Sequence, residues 1–281
     1  MPEMNDWDWE IDAGRRWFRW ELGDLGRYRD LLLRLVRRDL LANYQQTMLG
    51  AFWILLQPIL TTLVYWVIFG RIVKVPTGSA PPLLFYLSGI IVWNFFSDCL
   101  NGTMYTFLTN AQMFNKVYFP RLIVPLSGVL AHGVRLGVQL VLFFGIYVYY
   151  AFSGAVPAPG LDWFLLPVFF LLTGLFGLGM GLAVSVLTAR YRDLDYTLQF
   201  VLRLWMFASP VVYPAGLVHG ALRPWFWLNP LTPLIEGFRA VCFGGAVDYT
   251  YLGVCAFVVI LILVGGVSLF KRQERRLTDF I

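Results

Sequence analysis

The chain has 281 residues, of which 58% are hydrophobic and 14% charged, with a mean hydropathy of +0.65 and a formal net charge of +5. These values depart from those of a soluble globular domain, and the length leaves no room for a large soluble domain beside several membrane spans. The sequence reads as an all-α integral membrane protein with a cytoplasmic N-terminal segment, 1–48, and one transmembrane domain, 49–281.

Met1 to Asp12 is acidic and precedes no apolar core after a basic start, so it does not read as a cleaved signal. Trp7, Trp9, Trp17 and Trp20 are suited to docking on a membrane or a partner. Asp24 to Asn43 is expected to form an amphipathic helix on the cytoplasmic leaflet. Arg27, Asp30, Arg34, Arg37 and Arg38 fall on one side, and Leu25, Tyr28, Leu32, Leu35, Val36 and Leu40 on the other.

Crossing hydrocarbon takes about 20 apolar residues. Six stretches are candidates: Tyr44 to Gly70, with its apolar body from Leu49; Pro82 to about Leu100; Leu122 to Tyr150; Trp163 to Ala189; Tyr196 to Tyr213; and Tyr249 to Phe270. Pro58 inside the first removes a backbone donor and is expected to bend it. A seventh apolar stretch, Trp225 to Ala246, is broken by Asn229, Pro230, Pro233, Glu236 and Arg239. It reads as a pair of short re-entrant or interfacial helices, because polar backbone at that depth needs shelter by protein or water.

Lys and Arg near the span ends set the orientation. Eight arginines precede the first span, Lys116 and Arg121 follow the second, Arg190 and Arg192 follow the fourth, and Lys271, Arg272, Arg275 and Arg276 follow the last. Both termini are therefore expected in the cytoplasm. The opposite side keeps Arg71, Lys74, Arg223 and Arg239. The positive charge thus serves topology and anionic lipid, and no basic aromatic module for nucleic acid is visible.

No phosphate-binding G-x-x-x-x-G-K-[ST] loop and no H-E-x-x-H occurs, and the only histidines, His132 and His219, are far apart. No catalytic residue and no metal site is expected. Cys99, Cys242 and Cys255 form no paired motif and read as packing residues. Polar groups at depth are the informative remainder. His132 and Arg135 fall one turn apart in the third span, where an arginine costs on the order of 3 kcal/mol and must face the bundle or water. Arg203 stands near the start of the fifth span, and Glu236 and Arg239, three apart, can pair on one helix face. Aromatics make up 17% of the chain. Those in the first, second and fifth spans suit a membrane-interface belt, and also a wide path whose ring faces pack on sugar C–H faces.

Several segments in order carry a family resemblance: Tyr28-Arg29-Asp30-Leu31-Leu32, Tyr44-Gln45-Gln46-Thr47-Met48-Leu49-Gly50, Leu56-Gln57-Pro58, Tyr86-Leu87-Ser88-Gly89, Lys116-Val117-Tyr118-Phe119-Pro120-Arg121, Tyr191-Arg192-Asp193-Leu194, Ser209-Pro210-Val211-Val212-Tyr213-Pro214 and Asn229-Pro230-Leu231-Thr232-Pro233. Together the set resembles the ABC-2 type permeases that export lipid-linked polysaccharide, such as O-antigen, with teichoic acid and capsule exporters as relatives. The resemblance implies a homodimer of six-helix subunits in the bacterial inner membrane. It also implies two separately encoded ATP-binding cassette subunits that hold ATP and Mg, so that this chain carries no cofactor of its own. It places ATPase coupling at Asn115, Lys116, Tyr118, Phe119, Pro120 and Arg121, with Arg192 and Asp193 as a lesser contact. The first and fifth spans would line the substrate path, with Trp53, Tyr65, Trp66, Tyr86, Trp93, Phe96, Trp205 and Phe207 as candidate rings. Ser209, Pro210, Tyr213, Pro214, Asn229, Pro230, Glu236 and Arg239 would form the external gate. Two other classes remain at this point: an ABC-2 exporter of small amphiphilic compounds, and a membrane-embedded glycan-processing enzyme. The second is disfavoured because Asp98, Asp162, Asp193, Asp195, Glu236 and Asp248 are scattered over both faces.

Overall fold

The computed structural model describes residues 28–44, 48–110, 113, 119–191 and 193–278. The Trp-rich start, Leu25 and Arg27 of the amphipathic pattern, and Gln45 to Thr47 lie outside them. Among the described residues all regular structure is helical. Helix α1 is Arg29–Tyr44. Helix α2, Trp53–Tyr65, is preceded by a 3-10 turn and runs on into a π-helical stretch, Trp66–Ile72. Then come α3 (Pro82–Met104), α4 (Ile123–Phe152), α5 (Leu166–Arg190), α6 (Leu194–Phe207), the short pair α7 (Arg223–Leu228) and α8 (Leu231–Phe243), and α9 (Tyr249–Thr278).

Five of these stretches are long and apolar enough to cross a membrane: Gly50–Ile72, Pro82–Met104, Ile123–Phe152, Leu161–Thr188 and Tyr249–Gln273. The expected fifth span, Tyr196 to Tyr213, is helical only in part. Its helix stops at Phe207 after 14 residues, or about 21 Å, short of the roughly 30 Å hydrocarbon core. Ser209-Pro210 explains the stop, since proline offers no N–H and turns the residue before it away from helical backbone. Residues 208–214 are turns instead. Pro58, by contrast, does not end α2, and Thr62 Oγ1 donates to the Pro58 carbonyl at 2.6 Å.

Helix α3 is the central post. Of its apolar window 78% is buried, against 11% for the Gly50–Ile72 stretch. Lipid tails are as apolar as leucine, so association here depends on close backbone approach at small residues. Gly177 and Gly181 of α5 provide it towards α3: a Cβ on Gly177 would lie 2.7 Å from Cys99 Cβ and 2.9 Å from the Phe96 carbonyl. Gly179, on another face of α5, meets Leu263 and Gly266 of α9 in the same way. Phe96, Phe176 and Trp205 close the core around these contacts, the first two stacked at 4.8 Å.

Contacts also define two poles. At one, the Tyr147 hydroxyl lies 2.7 Å from the carbonyls of both Pro157 and Cys242, which share its single proton, and Arg239 reaches Phe85 and Val211. At the other, Thr188 donates to the Met104 carbonyl at 3.1 Å, and Phe107 stacks on Phe270 at 4.6 Å. There Leu35 of α1 is buried against Phe119, Ile123 and Val124 at the start of α4.

Candidate functional site: a buried arginine hub and its surroundings

The expected pairing of Glu236 with Arg239 is present, with Nη1 3.0 Å from Oε1. The arginine does much more than pair. Its guanidinium is buried, with Cζ 3.7 Å from the centroid of the Phe85 ring. Nε donates to Ser88 Oγ at 3.2 Å, Nη1 to the carbonyl of Pro210 at 2.6 Å and more weakly to that of Tyr213 at 3.5 Å, and Nη2 to those of Val211 at 2.7 Å and Phe85 at 3.2 Å. All three nitrogens are engaged, so the desolvation that would otherwise penalise a buried cation is offset by oriented carbonyl dipoles and one carboxylate.

The 208–214 turns need such a centre because, outside helical geometry, their carbonyls have few chain partners. Arg239 gathers three of them and ties them to α3. A second polar knot holds the same turns from α7–α8: Asn229 Nδ2 donates to Ser209 Oγ at 2.9 Å, and Trp205 Nε1 donates to Asn229 Oδ1 at 3.3 Å. Glu236 Oε1 accepts from Ala215 N–H at 3.2 Å, Cys255 Sγ donates to the Pro230 carbonyl at 3.4 Å, and Pro214 borders the adjoining cleft. The eight residues expected at an external gate therefore lie together. Sequence reasoning missed Phe85, Ser88 and Gly89 as their partners. The signal was a small pair, Ser88-Gly89, inside an apolar helix: a side chain on Gly89 would collide with the Val211 carbonyl and Arg239 Nη2.

The expected path rings divide by burial. Tyr86, Trp93 and Phe96 pack inside the subunit core. Tyr65, Trp66 and Trp205 are half-buried, with Tyr65 OH 3.5 Å from Met206 Sδ and Arg71 lying 5.0 Å over the Trp66 ring. Trp53 and Phe207 are exposed, at 44% and 50%. Tyr196, Phe200, Arg203 and Leu204 share the exposed face of α6 with Phe207.

A polar seam that sequence reasoning did not foresee joins α3 to α6. Gln199 Nε2 donates to Asn101 Oδ1 at 2.8 Å, Asn101 Nδ2 to Ser97 Oγ at 3.2 Å, and Tyr105 OH to Asp195 Oδ1. Burial, and then the bond to Asp195, pushes the Tyr105 phenol above its ordinary range. On the α4 side, Arg135 lies within electrostatic reach of Asp98, and His132 packs on Gly102. Their spacing, one turn apart on the helix face towards α3, was readable as an inward face.

At the opposite pole from the hub, Phe119 is buried, whereas Pro120 and Arg121 are half-buried and Asp193 is exposed. Asn115, Lys116, Tyr118 and Arg192 lie outside the described residues. Arg38 of α1 reaches the same segment, donating to Asn110 Oδ1 at 3.4 Å and to Met113 Sδ at 3.8 Å. Among the described residues no cluster of three or more His, Cys, Asp or Glu is placed to hold a metal.

This arrangement of long apolar helices, with a short helix pair at one pole, can be compared with known proteins. The profile of the ABC-2 type transporter family matches residues 30–243, from the start of α1 to the end of α8. The chain belongs to the ABC-2 type transporter family. Among its ABC-2 relatives, the O-antigen export system permease protein RfbA of Klebsiella pneumoniae is 26% identical over 260 residues, covering 92% of this chain and 97% of the relative. The protein of the same name from Myxococcus xanthus is 27% identical over 261 residues, covering 92% and 98%. The polysialic acid transport protein KpsM of Escherichia coli is 23% identical over 263 residues, covering 87% and 94%. The ABC-2 match contains both the arginine hub and the Phe119 segment.

Proposed function

We propose that the chain is the transmembrane subunit of an ABC exporter that moves lipid-linked polysaccharide, O-antigen-like, from the cytoplasm across the bacterial inner membrane. The observation that carries this reading is the end-to-end similarity to O-antigen export permeases, 92% of the chain against 97–98% of the relatives. In this reading the chain works as a homodimer with two separate ATPase subunits, which bind ATP and Mg, and both termini are cytoplasmic. The short α6 serves as a sixth span completed by the turns after it, α1 lies on the cytoplasmic leaflet, and α7–α8 form a re-entrant pair. The exposed faces of α2 and α6, which carry Trp53, Phe200, Arg203 and Phe207, line the path between the two copies. The carrier lipid stays in the bilayer while the glycan, too polar for hydrocarbon, passes along that path.

Power enters at the Phe119 segment. ATP binding in the partner biases the helices between closed and open arrangements only through its differential affinity for the two. The burial of Leu35 against Phe119 supports α1 moving with that segment. The hub then holds the external end closed. The test is reconstitution with the ATPase encoded beside the gene, with lipid-linked glycan in the vesicles and a lectin outside. ATP-dependent exposure of glycan, absent with a hydrolysis-dead partner, is the expected result. Assembly with ATP hydrolysis but without glycan movement overturns the polysaccharide reading.

A further inference from the structure

At the hub's pole, a cleft of about 500 Å³ opens between the 76–80 loop, the α7–α8 pair and the 245–248 turn. Its size falls in the ordinary range for small-molecule sites, roughly 300–1,000 Å³. Trp227 and Phe243 supply aromatic wall, and Trp227 is held rigid by stacking on Tyr251 at 4.5 Å.

Two carboxylate oxygens of the cleft stand open as acceptors. Glu236 takes Arg239 Nη1 and Ala215 N–H on Oε1 alone, which leaves Oε2 without a protein partner. Asp248 accepts from Thr250 N–H at 3.0 Å and Tyr251 N–H at 3.3 Å on Oδ1 alone, which leaves Oδ2. Thr77 and Ser79 add hydroxyls. The one cation in the wall, Arg239, has every nitrogen committed to the hub. Rigid aromatic surface, carboxylate oxygens free to accept, and no uncommitted cation suit a ligand rich in hydroxyl donors and without negative charge.

We propose that this cleft is an exit-side subsite for a neutral, hydroxyl-rich sugar unit of the exported glycan. The inference rests on the export reading above and names what it does not: where the emerging chain is held, and that acidic sugars are rejected there. Because Glu236 belongs to both cleft and hub, a sugar on Oε2 touches the same carboxylate that holds Arg239 against the 208–214 turns. Occupancy and the state of the external turns are thereby linked.

All three native cysteines are buried, so an S79C variant carries the one reactive thiol among the described residues, at an exposed rim position of the cleft. In the reconstituted permease–ATPase complex, this thiol is labelled with a membrane-impermeant maleimide. Labelling is repeated with added polysaccharide, released by mild acid from the cells that make the transporter, and with polygalacturonate. The released polysaccharide is expected to slow labelling of S79C several-fold. Polygalacturonate leaves the rate unchanged, and an S153C control at the same pole is unprotected by either. Trp227→Ala removes the protection, as does Ala246→Trp, which fills the cleft from its exposed rim if the first variant fails to fold. Glycan export is measured on the same vesicles. Export with S79C labelled equally fast in both conditions overturns the subsite alone, whereas absence of export overturns the export reading and the subsite with it.

Discussion

Arg239 donates from Nε to Ser88 Oγ at 3.2 Å, and Ser88 donates onward to the Phe85 carbonyl at 2.7 Å, so one short relay binds α8 to α3 across 151 positions of sequence. Every acceptor in the hub is matched to a nitrogen, and loss of the guanidinium takes that donor from the carbonyls of Pro210 and Val211, while Glu236 Oε1 keeps Ala215 N–H and the Phe85 carbonyl keeps Ser88. Arg239→Ala is expected to destabilise the detergent-solubilised protein by about 3–5 kcal/mol, the range for breaking a buried ion pair. Arg239→Lys does not rescue it, because an ammonium cannot span Ser88, Val211 and Glu236 together. Ser88→Ala, which takes an acceptor from Nε and a donor from the Phe85 carbonyl, costs about 1–3 kcal/mol. Equilibrium unfolding of the three variants checks the order, and a fully stable Arg239→Ala refutes the hub as a fold element.

Two adjacent glycines of α9 should respond oppositely. A Cβ on Gly266 would be driven into the Gly179 carbonyl group of α5, whereas Gly265 has nothing within 4 Å. Gly266→Ala is therefore expected to cost about 1–3 kcal/mol by overpacking. Gly265→Ala is tolerated or gains a few tenths of a kcal/mol or more from helix propensity, within the roughly 1 kcal/mol scale. Melting curves of the purified variants decide it, and equal melting temperatures contradict the close approach of α5 and α9.

Much of this was readable from residues. Long apolar runs, two of them carrying a single charge (Asp98 and Arg135), gave five spans to within a few residues, since length and apolarity satisfy the bilayer. The Glu236–Arg239 spacing gave their pair. The fifth span was overestimated because apolarity continued through 208–213, and only the Ser209-Pro210 break signalled turns. Burial of Tyr86, Trp93 and Phe96 was also not legible. An aromatic ring reads the same whether it meets lipid, a path or another helix, and only its packing, such as that of Phe96 against Phe176 and Trp205, separates the cases. The Tyr105–Asp195 bond spans 90 positions and belongs to no local pattern.

Coupling at the opposite pole is expected to depend on one small apolar cluster. Phe119 and Leu35 are 7% and 5% exposed and share Ile123 and Val124 as neighbours. Phe119→Ala and Leu35→Ala should each lower glycan export while ATP hydrolysis by the partner persists, and the double variant should be little worse than either single, because contacting residues are not additive. The ratio of glycan moved to ATP hydrolysed is the measurement. Export by both single variants at the wild-type ratio would remove α1 from the coupling route. Replacing Lys116 to Arg121 by small residues is the harsher version, expected to abolish export with insertion intact.

The seam between α3 and α6 permits a prediction in pH. The Tyr105 phenol is raised first by burial and then by its bond to Asp195. A group whose folded value lies above its unfolded one adds stability that is complete below the unfolded value, near 10 for tyrosine, and disappears as pH climbs through the folded value. The bond should therefore contribute a constant amount across pH 6–9, and its loss should begin only in the alkaline range above about 10. Tyr105→Phe is expected to cost about 0.6–2 kcal/mol, the span found for hydrogen bonds between membrane helices. That cost should be flat below pH 9 and shrink above 10, where the wild type loses the same bond. Because α6 carries the exposed Phe200, Arg203 and Phe207 face, loosening it should also slow export more than ATP hydrolysis. Unfolding free energies of wild type and Tyr105→Phe compared at pH 7 and pH 10.5 give the answer. A difference that grows with pH would mean that the phenol is not held protonated by α6.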